Sequence, residues 1–259
     1  MYKRVKRLRG GSGLGDAIYV QCVARSLVHR EMLEICTDWP DVFLPLKDNV
    51  QFAPFSRNNI DYLAHYSKRK EENTSQFDDC CIEAGVKAEY KLDWETQNHK
   101  LIEGLRKPYV LVHTPRTPMD RKDGFGAELF PDCRVIDDVL GLLNMHVVQA
   151  GKGHKKYSLK RVDTDLHNQT SVTDLFDLAL SAEYIVGQCS LIIPLAESLD
   201  KKLMVIWSSK GLKADNKYVS RIIPRKILHK ETSHYVMDDW DKEKIIDAVY
   251  KLRDSRPEI

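Results

Sequence analysis

A carboxylate at the end of a glycine-rich turn, Asp16, is the residue of this sequence best placed to do chemistry. The turn GGSGLGD (residues 10–16) precedes a stretch whose apolar residues recur every three or four positions from Val20 to Leu27, which predicts a helix. Backbone amides and the dipole at a helix start stabilise a negative charge. Asp16 is therefore predicted either to cap this helix or to act as a general base toward a bound ligand.

The spacing of these glycines argues against two common nucleotide motifs. A dinucleotide-binding turn needs glycines at positions i, i+2 and i+5, and Ile18 stands where the third glycine would follow Gly13 and Gly15. The lysine-containing motif of a P-loop is also absent from the sequence. Neither an NAD site nor a P-loop is expected.

A second candidate site lies in the turn after a strand predicted over residues 184–186. Gly187, Gln188, Cys189 and Ser190 occupy this turn, and a helix follows it. Ligands of open parallel sheets bind at the carboxyl ends of strands, where Ser190 and the amides from Leu191 onward can meet a phosphate. An ordinary strand-to-helix turn is the alternative.

A third candidate is the loop HTPRTPMDRKDGFGAELFP (residues 113–131), which also follows a predicted strand. It carries Thr114 and the cations Arg116, Arg121 and Lys122, whose charges can offset those of an anionic ligand. A solvated loop face is the alternative.

The elements that must position these residues follow an α/β pattern, in which short apolar runs alternate with amphipathic stretches. The second half predicts strands over residues 109–113, 146–150, 184–186 and 203–207, with helices between them and a final packing helix. Ser171 and Asp174 have the spacing of a capping box, and Asp239 or Asp241 is expected to cap the last helix. The first half predicts a basic strand, the helix after Asp16 and a strand over residues 33–36.

The first strand is far more basic than a parallel strand covered on both faces, which is usually apolar throughout. Arg7 and Arg9 lie near its carboxyl end. They are predicted either to reach a phosphate-bearing ligand or to be the exposed charges of an edge strand.

Two stretches carry weaker signals. Residues 39–73 contain three prolines and a polar run, which predicts loops and short helices. The charged stretch 95–108 has no strand pattern and is the expected linker. We therefore predict two α/β domains, residues 1–107 and 108–259, that face each other across a cleft.

The composition is that of a globular chain with a full core. Of its 259 residues 42% are hydrophobic, and a net charge of +2 argues against a surface built wholly for nucleic acid. No apolar run approaches the roughly 20 residues that cross a bilayer, so a cytoplasmic protein without stable membrane insertion is expected.

The six cysteines have no zinc-type or CxxC spacing, so neither a structural metal nor a disulfide framework is predicted. Cys80 and Cys81 fall on a helical stripe and are interpreted as small buried hydrophobes.

The first turn and the segment from residue 170 to 196 together resemble family 9 glycosyltransferases, the heptosyltransferase-like enzymes. In that family the first strand ends in a Gly-x-Gly-Asp turn, which residues 13–16 match. The second half of the family carries a helix T-S-L-x-E-L-x-x-L, a strand and a turn G-N-D-S-G-x-x-H-L-A. The matching residues here are Thr170, Ser171, Val172, Asp174, Leu175, Gly187, Ser190, Leu195 and Ala196.

The resemblance implies a GT-B architecture, in which the parallel sheets of two Rossmann-like domains face each other across a cleft, with a first domain shortened relative to the family. It also implies an inverting sugar transfer that needs no metal and no cofactor. Asp16 would accept the proton of an acceptor hydroxyl. Arg9, Ser12 and Gly13 of the first domain would hold the acceptor, which is a glycan, a glycolipid or a modified nucleobase. The second domain would hold the nucleotide-sugar donor and stabilise its departing diphosphate. The donor residues are Thr114, Arg116, Arg121, Lys122, Gly187, Gln188, Ser190 and Leu191.

The second turn departs from the family pattern. Cys189 and Pro194 replace its aspartate and histidine, and Leu191 replaces its second glycine. Because Pro194 disfavours helical geometry at Ile193, the helix is expected to begin near Pro194. These replacements leave open a second class, a non-catalytic nucleotide- or glycan-binding module on a degenerate GT-B scaffold. No residue favours a third, a sugar-nucleotide epimerase or hydrolase.

Overall fold

The computed structural model describes residues 5–65, 75–114, 131–152, 158–209, 228 and 230–255. Contacts between residues divide the chain into two compact units, Met1–Glu95 and Thr96–Ile259. Each unit is built on its own parallel sheet with helices. The predicted α/β class with two Rossmann-like units is confirmed.

The elements of the first unit are β1 (Lys6–Arg9), α1 (Leu14–Leu27), β2 (Leu33–Cys36), a 3₁₀ helix (Pro40–Leu46), β3 (Val50–Ala53), β4 (Tyr62–Leu63) and α2 (Gln76–Ala84). Its four-stranded sheet has the order β3-β2-β1-β4, and all of its strand pairs are parallel. Its core includes Leu8 of β1, Ile18 of α1 and Ile35 of β2, which are fully buried, and α1 contacts β1.

β3 and β4 lie in the stretch for which the sequence predicts only loops and short helices. β3 is a sheet edge with no fully buried residue, and β4 has only two residues. Neither therefore shows the apolar alternation by which a strand is recognised in a sequence. Their strand geometry comes from hydrogen bonding to β2 and β1.

The basic strand β1 is an interior strand, paired with β2 on one side and β4 on the other. Its cations meet acidic neighbours. The Nε of Arg7 lies 2.5 Å from Oε1 of Glu34, its register partner on β2, and the Nζ of Lys6 lies 3.3 Å from Oδ1 of Asp61. Leu8 between them is fully buried. The edge-strand interpretation of these charges is wrong, because acids on both neighbouring segments let a central strand carry them.

The stripe that holds the adjacent cysteines belongs to α2, whose Phe77, Cys80 and Ala84 are buried. Cys81 is only partly buried. Burial raises the pKa of the Cys81 thiol to about 11, so this thiol stays protonated at neutral pH. The interpretation as buried hydrophobes is confirmed for Cys80 and holds only in part for Cys81.

The elements of the second unit are α3 (His99–Glu103), β5 (Tyr109–Thr114), α4 (Cys133–Leu143), β6 (His146–Gly151), β7 (Thr164–His167), α5 (Val172–Ser181), β8 (Tyr184–Gln188), α6 (Ile192–Ser198), β9 (Lys202–Trp207), β10 (Ser233–Met237) and α7 (Lys242–Asp254). Its six-stranded sheet has the order β10-β9-β8-β5-β6-β7, again with every pair parallel. Its central strands are buried along almost their whole length, as expected for a parallel sheet between helices.

The predicted helix caps of this unit are present. Ser171 Oγ accepts a hydrogen bond from the amide of Asp174 at 3.0 Å, and the Ser171 amide donates to the Asp174 carboxylate at 2.9 Å. Asp241, and not Asp239, caps α7 by accepting from the amide of Lys244 at 2.9 Å. Both helices therefore begin where the sequence places their capping residues.

The stretch predicted as a linker contains α3 and is attached to the second unit. The buried carboxylate of Asp177 on α5 accepts hydrogen bonds from the amides of Gln97 and Asn98, and the Asn98 side chain donates to Asp174 at 2.8 Å. The contacts therefore separate the units after Glu95, ahead of the boundary expected after residue 107.

The described part of the chain contains no helix that combines the length and apolar character required for a membrane crossing.

Candidate functional site

The strand order of each sheet reverses at one place, and the candidate residues lie at these two places. In the first unit β2 and β3 follow on one side of β1, while β4 lies on the other. In the second unit β6 and β7 follow on one side of β5, while β8, β9 and β10 lie on the other. Ligands of open α/β sheets bind outside the carboxyl ends of the strands at such a switch point. The relevant strand ends are therefore those of β1 and β4, and those of β5 and β8.

Asp16 is the third residue of α1, directly after the switch-point turn of the first unit. Its Oδ2 accepts a hydrogen bond from the amide of Gly13 at 3.0 Å, which is the predicted cap. Its Oδ1 has no hydrogen-bond partner in the part of the chain that the structure describes. The cap thus uses one carboxylate oxygen and leaves the other for a ligand.

Gly11 provides the space for this carboxylate. A Cβ built on Gly11 would lie 2.3 Å from Oδ2 and 2.5 Å from Cγ of Asp16, far inside van der Waals contact. Gly10 serves packing instead, because a Cβ there would lie 2.4 Å from Cγ2 of Val20 and 2.9 Å from the carbonyl oxygen of Ala64. The adjacent glycines therefore have separate roles, one for the carboxylate and one for the junction of β1, α1 and β4.

Of the predicted acceptor residues, Ser12 and Gly13 are exposed in the turn that precedes Asp16, and Arg9 ends β1. The guanidinium carbon of Arg9 lies 5.3 Å from the ring centroid of Phe55, a cation–π contact. Its Nε is buried and has no hydrogen-bond partner among the described residues. This N–H is thus available to an acceptor atom brought by a ligand.

Sequence reasoning missed three residues at this edge of the sheet. Phe55 follows β3, His65 follows β4, and Trp39 follows β2 and donates from Nε1 to the carbonyl oxygen of Ser12 at 2.9 Å. The pKa of His65 is lowered, chiefly by burial. The negative charge of Asp16 acts in the opposite direction and is the largest influence that raises this pKa. Phe55 and His65 could have been found only by recognising β3 and β4 as strands.

In the second unit, Thr114 is the last residue of β5 and is fully buried. Its Oγ1 accepts a hydrogen bond from Nε2 of Gln149 on β6 at 3.0 Å. Gly187 and Gln188 end β8 and are also buried. A Cβ on Gly187 would lie 3.1 Å from Cγ2 of Ile192, so this glycine lets α6 pack closely on the strand. The structure therefore brings Thr114 and the turn after Gly187 to the same switch point.

Ser190 and Leu191 form the entry to α6. Ser190 Oγ accepts from the amide of Ile192 at 3.4 Å, and its carbonyl accepts from the amide of Ile193 at 3.1 Å. α6 begins at Ile192, two residues before Pro194 and not at Ser190, but Ile193 is helical although a following proline disfavours this geometry. Pro194 is the third helical residue, where an amide has no partner within the helix, so its missing N–H removes no helical hydrogen bond.

Two further side chains at this switch point are neutral at physiological pH. Burial raises the pKa of the Cys189 thiol to about 12. Burial, together with the nearby His167, lowers the pKa of His113 to about 4. Neither group can supply charge to a bound ligand at neutral pH.

The predicted loop cations Arg116, Arg121 and Lys122 lie outside the described residues. Within the described ranges, no cluster of three or more His, Cys, Asp or Glu side chains could hold a metal ion.

No protein-family model matches the sequence, and the curated proteins contain no significant match to it. Solved structures do match. The family 9 glycosyl transferase from Veillonella parvula DSM 2008 superposes with a TM-score of 0.64 at 10% identity, covering 98% of both chains. The ADP-heptose LPS heptosyltransferase II of E. coli gives a TM-score of 0.62 at 12% identity, covering 96% of this chain and 98% of the enzyme.

A third match is the dodecameric iron-containing heptosyltransferase TibC, solved in complex with ADP-D-beta-D-heptose. It gives a TM-score of 0.55 at 15% identity and covers 79% of this chain, while this chain spans 58% of the length of TibC. These likenesses are structural, since identities this low are well below those that transfer a function. The chain therefore has the GT-B-type α/β fold of heptosyltransferases and family 9 glycosyltransferases, as its two motifs predict.

Proposed function

We propose that this protein is a glycosyltransferase, which transfers a sugar from a nucleotide-diphosphate donor to an acceptor hydroxyl with inversion at the anomeric carbon. The observation that carries the proposal is Asp16, a carboxylate with one uncommitted oxygen at the switch point of the first unit. The fold supports the same class of reaction, because the three solved structures reported above are named as sugar transferases and one of them was solved with ADP-heptose.

Asp16 acts as the general base in this proposal. Oδ1 accepts the proton of the acceptor hydroxyl while Oδ2 stays bonded to the Gly13 amide, which holds the carboxylate in place. The acceptor oxygen forms a bond to the anomeric carbon as the bond from that carbon to the nucleotide diphosphate breaks. Attack on the face opposite the leaving group inverts the configuration in a single displacement.

Donor binding is assigned to the switch point of the second unit. Ser190 and the amides of the turn before α6 are the groups there that can bind phosphate oxygens. α6 has only seven residues, so its dipole adds little, and we assign the main charge compensation to Arg116, Arg121 and Lys122. Side-chain cations and amides thus stabilise the departing diphosphate in this scheme, with no metal required.

Acceptor binding is assigned to the first unit. Arg9, Ser12 and Gly13 lie in the same strand end and turn as the base, so a molecule held by them places its hydroxyl near Asp16. A glycan, a glycolipid and a modified nucleobase all present such a hydroxyl. The buried Nε–H of Arg9 can donate a hydrogen bond. It therefore favours a sugar-accepting molecule that carries an oxygen or nitrogen lone pair beside that hydroxyl.

A non-catalytic nucleotide- or glycan-binding module is the second candidate, and Cys189 favours it. At the position where family 9 enzymes carry an aspartate, this chain has a protonated thiol. A neutral group there cannot make the charged contacts of a carboxylate, so in this second candidate the scaffold keeps a binding role and has lost the donor chemistry.

Turnover separates the two candidates. The full chain is incubated with a mixture of UDP, ADP, GDP and CMP sugars and candidate acceptors, and products are found by mass spectrometry. We expect a glycosylated product with the wild type and at least about a 10²-fold lower rate with Asp16→Asn, which keeps the shape but not the basicity. Thermal stabilisation by a nucleotide without any turnover would support the binding module instead. Equal rates for the wild type and Asp16→Asn would remove Asp16 as the base.

A further inference from the structure

A cavity of about 540 Å³ lies in the second unit between α4, α7 and the segment that leads into β7. Cavities of this size are typical of small-molecule sites. None of the residues that line it belongs to the switch-point turns, and the proposed sugar transfer uses none of them. The floor includes Ile245, which is buried in the core of the unit.

Arg161 lies on one wall in an unusual arrangement. Three atoms of its guanidinium, Cζ, Nε and one terminal nitrogen, lie 3.4, 3.4 and 3.5 Å from the point where a Cβ of Gly141 would stand. Nearly equal distances from one point mean that the planar group packs with its face against α4. The N–H bonds of a guanidinium lie in its plane, so this packing uses none of its five donors.

Of the other three cations that line the cavity, Arg134 is paired with Asp132 at 2.6 Å, whereas Lys160 and Lys242 are uncommitted among the described residues. The amide of Lys160 donates to Oδ1 of Asp137 at 2.9 Å, which fixes the segment of Lys160 and Arg161 to α4. Among the described residues, the side chains of Lys160, Arg161 and Lys242 have no ion-pair or hydrogen-bond partner. Lining acids are fewer than lining bases, and one oxygen of Asp137 is already used.

We propose that this cavity, here called the α4–α7 cavity, is a second binding site that takes a phosphate-bearing ligand. A planar guanidinium with free donors matches two oxygens of one phosphate group. Two ammonium groups beside it neutralise more than one negative charge, which fits a phosphate ester or diphosphate better than a single carboxylate. Free phosphorylated molecules and phospholipid headgroups share this chemistry.

Lysine acetylation, read residue by residue with mass spectrometry on the intact full-length chain, tests the proposal. Lys160 and Lys242 should be protected by inorganic pyrophosphate, and Lys251 at the far end of α7 is the internal control. At about ten times the Kd, occupancy near nine-tenths lowers acetylation of the two site lysines about tenfold. A parallel experiment uses vesicles of phosphatidylglycerol and phosphatidylcholine, with vesicles of phosphatidylcholine alone as control. Protection by pyrophosphate identifies a free phosphate ligand, and protection by anionic vesicles alone identifies a headgroup.

Two variants locate the effect. Arg161→Glu should abolish protection of Lys242, and Gly141→Leu should do the same by displacing the guanidinium while improving helix propensity, so it is expected to fold. Lys251→Glu, a charge reversal outside the cavity, should leave the protection unchanged. The proposal is overturned if neither pyrophosphate nor anionic vesicles protect Lys160 and Lys242, or if protection persists in both cavity variants.

Discussion

The space that Gly11 leaves for the Asp16 carboxylate makes a sharp prediction about Gly11→Ala. The new methyl group would lie 2.3 Å from Oδ2, and an ordinary contact starts near 3.4 Å, so the carboxylate must move by about 1 Å. The clashing atoms are the end of a flexible side chain rather than backbone, so the fold can accommodate the change. The main structural loss is the hydrogen bond from Gly13, worth about 1 kcal/mol of the free energy of unfolding.

The same displacement is expected to be severe for chemistry. A base misplaced by about 1 Å typically lowers the rate by about 10²-fold, close to 3 kcal/mol in activation free energy. Gly11→Ala should therefore lose far more in turnover than in stability. The assay combines initial rates of sugar transfer, measured by mass spectrometry, with urea unfolding of the same samples.

Two glycine variants serve as controls. In Gly10→Ala the new methyl group meets Val20 and the backbone oxygen of Ala64, so we expect the free energy of unfolding to fall by about 1–3 kcal/mol. In Gly104→Ala the nearest atoms are at 3.4 and 3.5 Å, so neither stability nor rate should change appreciably. A Gly11→Ala protein that transfers sugar at the wild-type rate would refute the assignment of Asp16 as a positioned base.

Three further predictions concern stability. Gly151→Ala should lower the free energy of unfolding by about 3 kcal/mol or more, as measured by urea unfolding, because φ is +136° and a Cβ would lie 1.8 Å from the carbonyl oxygen of Thr114. The pKa of His113 is about 4 in the folded protein and near 6.5 in the unfolded chain, so the unfolded chain binds the proton more tightly. The free energy of unfolding of the wild type should therefore fall by roughly 3 kcal/mol as the pH drops from about 6.5 to about 4. A His113→Phe protein should not show this loss in unfolding experiments at several pH values. Burial raises the pKa of Asp174, but hydrogen bonds from Ser171 and Asn98 outweigh it and lower the pKa overall, so its stabilisation is present above pH ~4 and lost as pH falls through the folded value. Asp174→Ala should thus be about 1 kcal/mol less stable than the wild type at pH 7 in urea, with the difference shrinking in acid.

Local patterns in the sequence were sufficient for most of the second unit. β5, β8 and β9 are short apolar runs, which are typical of buried strands in a parallel sheet. The caps at Ser171 and Asp241 each pair with a residue three positions further along the chain. The cap at Asp16 is equally local, since its partner is Gly13. These features depend on interactions between residues close together in the chain, so a short stretch of sequence is enough to predict them.

Other elements exist only because distant segments pair. β7 and β10 are edge strands with mixed burial, and α3 is held by the buried carboxylate of Asp177, which lies far along the chain. Ile193 is helical although it precedes a proline, because the proline rule describes an isolated backbone, whereas packing of Ile192 and Ile193 in the core outweighs it.

Turn composition and spacing are local properties, so the amino-acid sequence alone was enough to single out Asp16 and the turn around Ser190 as candidate site residues. The neighbours of these residues are set by the three-dimensional fold. Strand order brings Thr114 to the end of β8 and places Phe55 and His65 at the same sheet edge as Asp16. Packing of the segment before β7 on α4 sets the guanidinium of Arg161 face-on against Gly141. Such neighbours come from pairing and packing between segments far apart in the chain, and a local sequence pattern does not specify which distant segments pair.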